Sequence, residues 1–206
     1  MMPSDEAFQQ KMKSMCVRIS DTVVVYDSFG MAAAPRVSWM LRAMGMKNVY
    51  VLNATLMKWM EDGHPVAKGQ EENEPFSRSG QRPKTTQQAY TFGMNKKMVD
   101  NFDSIKGKTI IDTRKKKVFD KGHIPYSFNI PASNVLTTDG YNGFRPQEEL
   151  KEILHPFLDK DVAVVSQNGV GACVLELALR ELGNDRVTVY DGSYYDYAQK
   201  STQKNL

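Results

Sequence analysis

The chain has 206 residues, 41% hydrophobic and 25% charged, with 14 Gly and 9 Pro; this is a globular composition, long enough for one large domain or two small ones, and it excludes a disordered or fibrous chain. Its 27 basic and 24 acidic residues are scattered and leave a net charge of +3, so no nucleic acid is expected as partner; no window approaches the roughly 18 apolar residues of a membrane span, and MMPSDEAFQQ lacks the blocks of a signal peptide. The two cysteines, Cys16 and Cys173, form no CxxC pair, which excludes a disulfide framework or zinc cluster, fits a reducing compartment and leaves no metal or cofactor expected.

Along the chain, Phe8, Met12 and Met15 mark an amphipathic segment, and Cys16 beside it reads as a packing residue. Strand signals, short runs rich in Val, Ile or Tyr, fall at residues 22–26, 48–52, 109–112, 162–166 and 186–190. Between them, apolar residues recur at helical spacing: Val37, Met40, Leu41 and Met44, then Leu150, Ile153, Leu154 and Phe157, then Leu175, Ala178, Leu179 and Leu182. These stripes read as core, as do Trp39 and, at a helix start, Trp59. Residues 68–88 turn polar and are expected to form an exposed connection, with a boundary near residue 80. Lys115, Lys116 and Lys117 read as a solvated loop, His123 beside Pro125 as a turn anchor, and His64 and His155 have no partners at ligand spacing. The alternation of strands and helices predicts an α/β fold with a largely parallel sheet flanked by helices.

The chain also repeats itself. Residues 42–59, RAMGMKNVYVLNATLMKW, lie over residues 180–197, RELGNDRVTVYDGSYYDY, at a constant offset of 138, which also sets Ser28 over Ser166 and Ala34 over Ala172. The second copy has further structure at residues 110–131 whose counterpart in the first would precede residue 1. Three parts are therefore expected: a partial unit at 1–68, a linker at 69–90 and a complete unit at 91–206. The partial unit would bare a sheet edge and an apolar face, so a protein partner is expected to complete it.

The chemistry is expected at the turn from AVVS through QNGVGAC into VLELALREL. Ser166 ends a strand there, and Gln167, Asn168, Gly169, Val170, Gly171 and Ala172 form a Gly-containing loop that opens a helix. Inward N–H groups and the positive end of the helix dipole make such a loop a cradle for a small anion or a nucleophile's charge. A thiol in it would drop from its ordinary pKa of about 8.5, whereas a hydroxyl gains much less and needs an adjacent base. Asp112 is expected to hold Arg114 or the loop, and Cys173 to be a buried core thiol.

Three motifs carry a family likeness: IIDTR, with Asp112 and Arg114; GHIPYSFNIP, against G-H-I-P-G-A-x-N-x-P; and VYDGSYYDY, with its D-G-S turn before an aromatic. With them the chain resembles the two-domain rhodanese family of thiosulfate and 3-mercaptopyruvate sulfurtransferases. The resemblance implies a rhodanese-like fold with one partial and one complete domain. It sets Ser166 where the family carries its catalytic cysteine, since the family loop reads C-x-x-G-V-T-A-C and this one SQNGVGAC. Gly171 falls on the family's Thr, and Val118 on a substrate-binding Arg. What this implies is a catalytically inactive homologue kept as a structural or accessory subunit, mitochondrial or otherwise cytoplasmic. The alternatives are a divergent active sulfurtransferase, or an anion- or phosphopeptide-binding module that uses residues 166–172 as rhodanese-like phosphatases use their loop.

Overall fold

The computed structural model describes residues 2–69, 87–141 and 143–203. The first half begins with α1 (Asp5–Ser14), whose first turn is capped by the Ser4 hydroxyl accepting from the Ala7 N–H. It continues through β1 (Val23–Val25), α2 (Ala34–Ala43), β2 (Val49–Val51) and α3 (Leu56–Glu61). Pro35 opens α2, and the Thr55 side chain caps α3. Strands β1 and β2 pair in parallel with Val23 opposite Val49.

The second half comprises β3 (Val99–Asp100), β4 (Thr109–Asp112), α4 (Lys116–Phe119), β5 (Phe128–Asn129), α5 (Gln147–Leu154), β6 (Val162–Val165), α6 (Ala172–Glu181), β7 (Val187–Tyr190) and α7 (Ser193–Gln203). Its five strands form one parallel sheet in the order β3-β7-β6-β4-β5. VAVV and VTVY, the sequences of β6 and β7, are buried at every position, as central strands covered on both faces require. Strands β3 and β5, two residues each, escape a periodicity reading because two residues define no period.

Three expectations shift. Lys116 and Lys117 lie in the single turn of α4 rather than in a loop, although all three lysines are exposed. Val37 is 41% exposed, not core, because α2 is packed from two directions. Leu41 and Met44 face the first half's own core, Trp39 and Ala43 face α6, and Val37 falls on the remaining side. Third, the pairing of Val23 with Val49 corresponds to that of Val162 with Val187, so Asp27, and not Ser28, stands where Ser166 stands. The loop before α2 is one residue longer, and the offset of 138 is regained at the helix starts.

Most of the expected connection, residues 70–86, lies outside the described residues. From Ala89 the chain packs on the first half: Tyr90 and Phe92 join Phe8, Met12, Leu41 and Met44 in one cluster, and the Ile19 N–H donates to the Ala89 carbonyl at 3.0 Å. The two halves share a second interface where α2 meets α6, so the large core runs from Trp39 and Ala43 through Leu175, Ala178 and Leu179 to β6 and β7.

The two β1–β2 faces differ. Val23, Val25 and Val49 pack inward, while Val24, Tyr26 and Tyr50 are each more than half exposed. By the strand register, Val24 and Tyr26 correspond to Ala163 and Val165, which are buried beneath Ile105, Ile124 and Tyr190. Among the described residues this face stays exposed, and a groove of about 690 Å³ runs over it, walled by Leu52, Leu56, Trp59, Met60 and residues 65–69.

Tyr126 is 98% exposed and holds φ at +63°, a left-handed conformation that strains a residue with a Cβ. Tyr126→Gly is expected to raise stability by about 0.5–1 kcal/mol, seen as a higher urea midpoint at unchanged slope. A lower midpoint would mean that the ring's contacts outweigh the strain.

Candidate functional site

Ser166 follows β6 directly, and the start of α7 clamps it. Its N–H donates to Ser193 Oγ at 3.0 Å, and its carbonyl accepts from the Tyr194 N–H at 3.0 Å. Ser193 is fixed in turn, since its hydroxyl donates to the Tyr190 carbonyl at 3.0 Å while its φ is +54°. The Ser166 hydroxyl accepts from the Gly169 N–H at 2.8 Å, which curls the loop over it. Gly169 has φ +88°, and a Cβ there would come within 3.1 Å of both Arg36 Nη1 and the Asp191 carbonyl; only glycine fits. Gly171 is different, because a Cβ there would meet Thr113 Oγ1 at 3.5 Å and Ser166 Cβ at 3.6 Å, ordinary contact distances.

Helix α6 begins at Ala172, so its positive end faces the loop. Among the described residues, the backbone N–H groups of Gln167, Asn168, Val170 and Gly171 have no hydrogen-bond partner. Gln167, Asn168 and Gly171 border an open cavity of about 370 Å³ rimmed by Thr113, Arg114, Lys115 and Val118. Backbone donors and a helix dipole so arranged are the elements from which anion sites are built.

Arg114 belongs to the wall rather than to the cradle. Its Nε lies 3.0 Å from both Asp112 carboxylate oxygens, and its Nη2 donates to Asp112 Oδ2 at 2.7 Å and to the Gly122 carbonyl at 2.8 Å. The guanidinium stacks on Tyr194, 3.7 Å from the ring centre. With its charge met by Asp112 and most donors committed, it braces β4 against α7. Asp112, Arg114, Ser166 and residues 167–172 therefore come together, with Val118, 41% exposed, on the rim.

Neither candidate nucleophile is activated. Ser166 Oγ has the Gly169 N–H as partner, and no base contacts it among the described residues: Asp112 is bound to Arg114, His123 Nδ1 lies 3.0 Å from the Phe119 carbonyl with its ring stacked on Phe119, and His64 packs on Trp59. Cys173 is fully buried, its Sγ 3.3 Å from the Gly169 carbonyl. Burial pushes its pKa up to about 12 against the opposing pull of Arg36, so it is a thiol at any physiological pH.

Sequence reasoning missed Ser193 and Asp191 as supports of the loop, although both stand in the VYDGSYYDY motif. It missed Arg36 altogether, since no spacing signals a residue that arrives from the other half.

A family model described as a rhodanese-like domain matches residues 1–62 and 94–200. The chain is 30% identical to the thiosulfate sulfurtransferase of Bos taurus, over 98% of this chain and 71% of that protein. It is 31% identical to thiosulfate/3-mercaptopyruvate sulfurtransferase 1, mitochondrial, of Arabidopsis thaliana, over 100% of this chain and 61% of that protein. Among solved structures, the 3-mercaptopyruvate sulfotransferase SseA of Escherichia coli superposes with a TM-score of 0.76 at 26% identity, over 94% of this chain and 73% of that one. The chain thus spans 61–73% of the length of these proteins.

Proposed function

The chain belongs to the rhodanese-like domain family, and from that premise we propose that it is a sulfurtransferase homologue whose Ser166 loop no longer transfers sulfur, retained as an anion-cradling accessory subunit. The observation that carries this is Ser166 Oγ at the mouth of the cradle with no base in contact with it among the described residues. Sulfur transfer from thiosulfate or 3-mercaptopyruvate, the donors named for the relatives, needs a nucleophile that stores the sulfur as a persulfide. A hydroxyl stores none, and forming an alkoxide without a base is prohibitive at neutral pH. Val118 also offers no charge where such a substrate would enter.

With cyanide as acceptor, the chain is expected to form thiocyanate from either donor no faster than its Ser166→Ala variant. Turnover that disappears on Ser166→Ala would overturn the proposal.

The accessory role is favoured by the β1–β2 face, which the described residues leave more than half exposed at Val24, Tyr26 and Tyr50. We take its occupant to be a partner protein that adds a parallel strand beside β1 and lays branched apolar side chains on Val24, Tyr26 and Tyr50, as β4 and Ile105 do for β6. By kinship with the Arabidopsis relative, its place is the mitochondrion. Isolated natively, the chain is expected to run as a complex that Val24→Lys with Tyr50→Lys dissolves without lowering the chain's own melting temperature. A monomer on native isolation would overturn the accessory role.

A further inference from the structure

We infer that Arg36 is a positioning residue for the Ser166 loop, contributed by the first half across the boundary between the repeats. Arg36 stands in the first turn of α2. Its Nη2 donates to Asp191 Oδ1 at 2.8 Å, and its guanidinium carbon lies 4.6 Å from the centre of the Trp39 ring. The other nitrogen, Nη1, is buried with no hydrogen-bond partner among the described residues and points at the back of the loop, 3.1 Å from where a Cβ of Gly169 would sit. A buried guanidinium with a donor short of a full hydrogen bond is costly unless its charge acts on something. Two groups are in reach: the buried Cys173 thiol, itself 3.3 Å from the Gly169 carbonyl and drawn downward in pKa by Arg36, and the loop whose Gly169 N–H holds Ser166 Oγ.

Two effects follow. Mechanically, Arg36 and Asp191 box in Gly169 and keep its N–H aimed at residue 166. Electrostatically, a fixed positive charge behind the loop adds to the helix dipole and the free backbone donors, so anything negative at residue 166 is stabilised. That field already reaches Cys173, whose pKa Arg36 draws downward against burial. The other charged groups around the loop are Asp112, Arg114 and Lys115 after β4, Asp191 before α7, Glu176 within α6 and Arg42 at the end of α2. Asp112 neutralises Arg114, Arg42 and Arg180 meet Glu176, and Asp191 partly neutralises Arg36, so how the Arg36 guanidinium is held bears directly on the field at the loop.

This inference rests on the anion-cradle reading, and its test separates the two. The thiol introduced by Ser166→Cys reports the field directly when its alkylation by iodoacetamide is followed against pH by site-resolved mass spectrometry. Its pKa is expected to lie below the ordinary value of about 8.5 and to rise by about one unit, a roughly tenfold loss of thiolate below the pKa, when Arg36→Met is added. Arg36→Lys, which restores the charge without the fork, is expected to recover part of the shift. Should Arg36→Met not fold, Arg36→Gln carries the same expectation, because it keeps a hydrogen bond to Asp191 while losing the charge. A lowered pKa that Arg36→Met or Arg36→Gln leaves unmoved overturns the role of Arg36 alone; an ordinary pKa in Ser166→Cys itself overturns the cradle and this inference together.

Discussion

Glu176→Ala is expected to cost the protein about 3–5 kcal/mol of stability, the range for removing one partner of a buried ion pair, and to be the most damaging single truncation of a charged residue. Glu176 is fully buried in the middle of α6, yet three donors converge on it: Arg42 Nη1 at 3.0 Å, Arg42 Nη2 at 2.7 Å and Arg180 Nε at 3.0 Å. Arg42 and Arg180 are the same residue of the repeat, 138 positions apart, so one carboxylate ties equivalent places of both halves together. At the position of Glu176 the first half has Ser38, buried with its hydroxyl unpartnered among the described residues; the repeat supplies two arginines and one acid. The arginines are not equal. Arg42 closes a two-toothed fork and its side chain is 13% exposed, whereas Arg180 makes one bond to Glu176 from a side chain that is 26% exposed and also reaches Asp185 at 3.4 Å. Urea unfolding in a double-mutant cycle should therefore give Glu176 a coupling of about 1.5–3 kcal/mol with Arg42 and well under 1 kcal/mol with Arg180. Glu176→Gln, which keeps the volume and one acceptor, should cost less than Glu176→Ala. A loss under about 1 kcal/mol for Glu176→Ala would mean that the α2–α6 packing holds the halves without this bridge.

What the sequence made legible follows the physics of each signal. Strands β4, β6 and β7 are short Val and Ile runs bounded by turns, and the loop at 166–172 was readable because strand, Gly-containing turn and helix follow one another directly. Relations between the halves were not readable in the same way. The repeat is visible as letters, but its phase at the first loop needed the strand register, which moves the counterpart of Ser166 from Ser28 to Asp27. That residue explains why the first half has no second cradle. Its carboxylate accepts from the N–H groups of Phe29, Ala33 and Ala34, each at 2.9 Å, filling from within the space an anion would take. Burial pushes the Asp27 carboxyl up, but the N–H groups of Ala34, Ala33 and Phe29 outweigh it and hold the pKa below the usual range. Val37 misled because a single-stripe reading assumes a helix packed on one side, and α2 has two neighbours. Arg36 was silent because its meaning depends on Asp191 and Gly169, 155 and 133 positions away.

On the proposed reading, Ser166→Cys is expected to raise thiocyanate formation from thiosulfate on the order of 10²-fold or more above the parent chain, since a missing nucleophile is among the largest single losses a covalent enzyme suffers. The chemistry balances on that one atom. A thiolate at 166 attacks the outer sulfur of thiosulfate, the sulfur–sulfur bond breaks, sulfite leaves with the bonding electrons, and a persulfide remains. Cyanide then removes the outer sulfur as thiocyanate and returns the thiolate. The surroundings accept the change: the Gly169 N–H that now meets Ser166 Oγ at 2.8 Å is placed to meet a thiolate, and the loop's free amides and the start of α6 lower its pKa. Gly171→Thr adds a branched side chain at a position whose Cβ has room at 3.5–3.6 Å. Val118→Arg sets a fork on the exposed rim of the cavity, where its length meets no core. Each new charge-assisted contact to the substrate anion is worth about 1.5–3 kcal/mol, so Val118→Arg in the Ser166→Cys background should lower KM for thiosulfate by roughly 10–100-fold and move kcat less. The pattern of the results locates the defect. Reactivity toward iodoacetamide without turnover in Ser166→Cys, relieved by Val118→Arg, means that substrate capture was lost along with the nucleophile. A reactive thiol that stays without turnover even with Val118→Arg and Gly171→Thr would sink the reading that these positions separate this chain from its sulfur-transferring relatives, and would shift the difference to the architecture around the cavity.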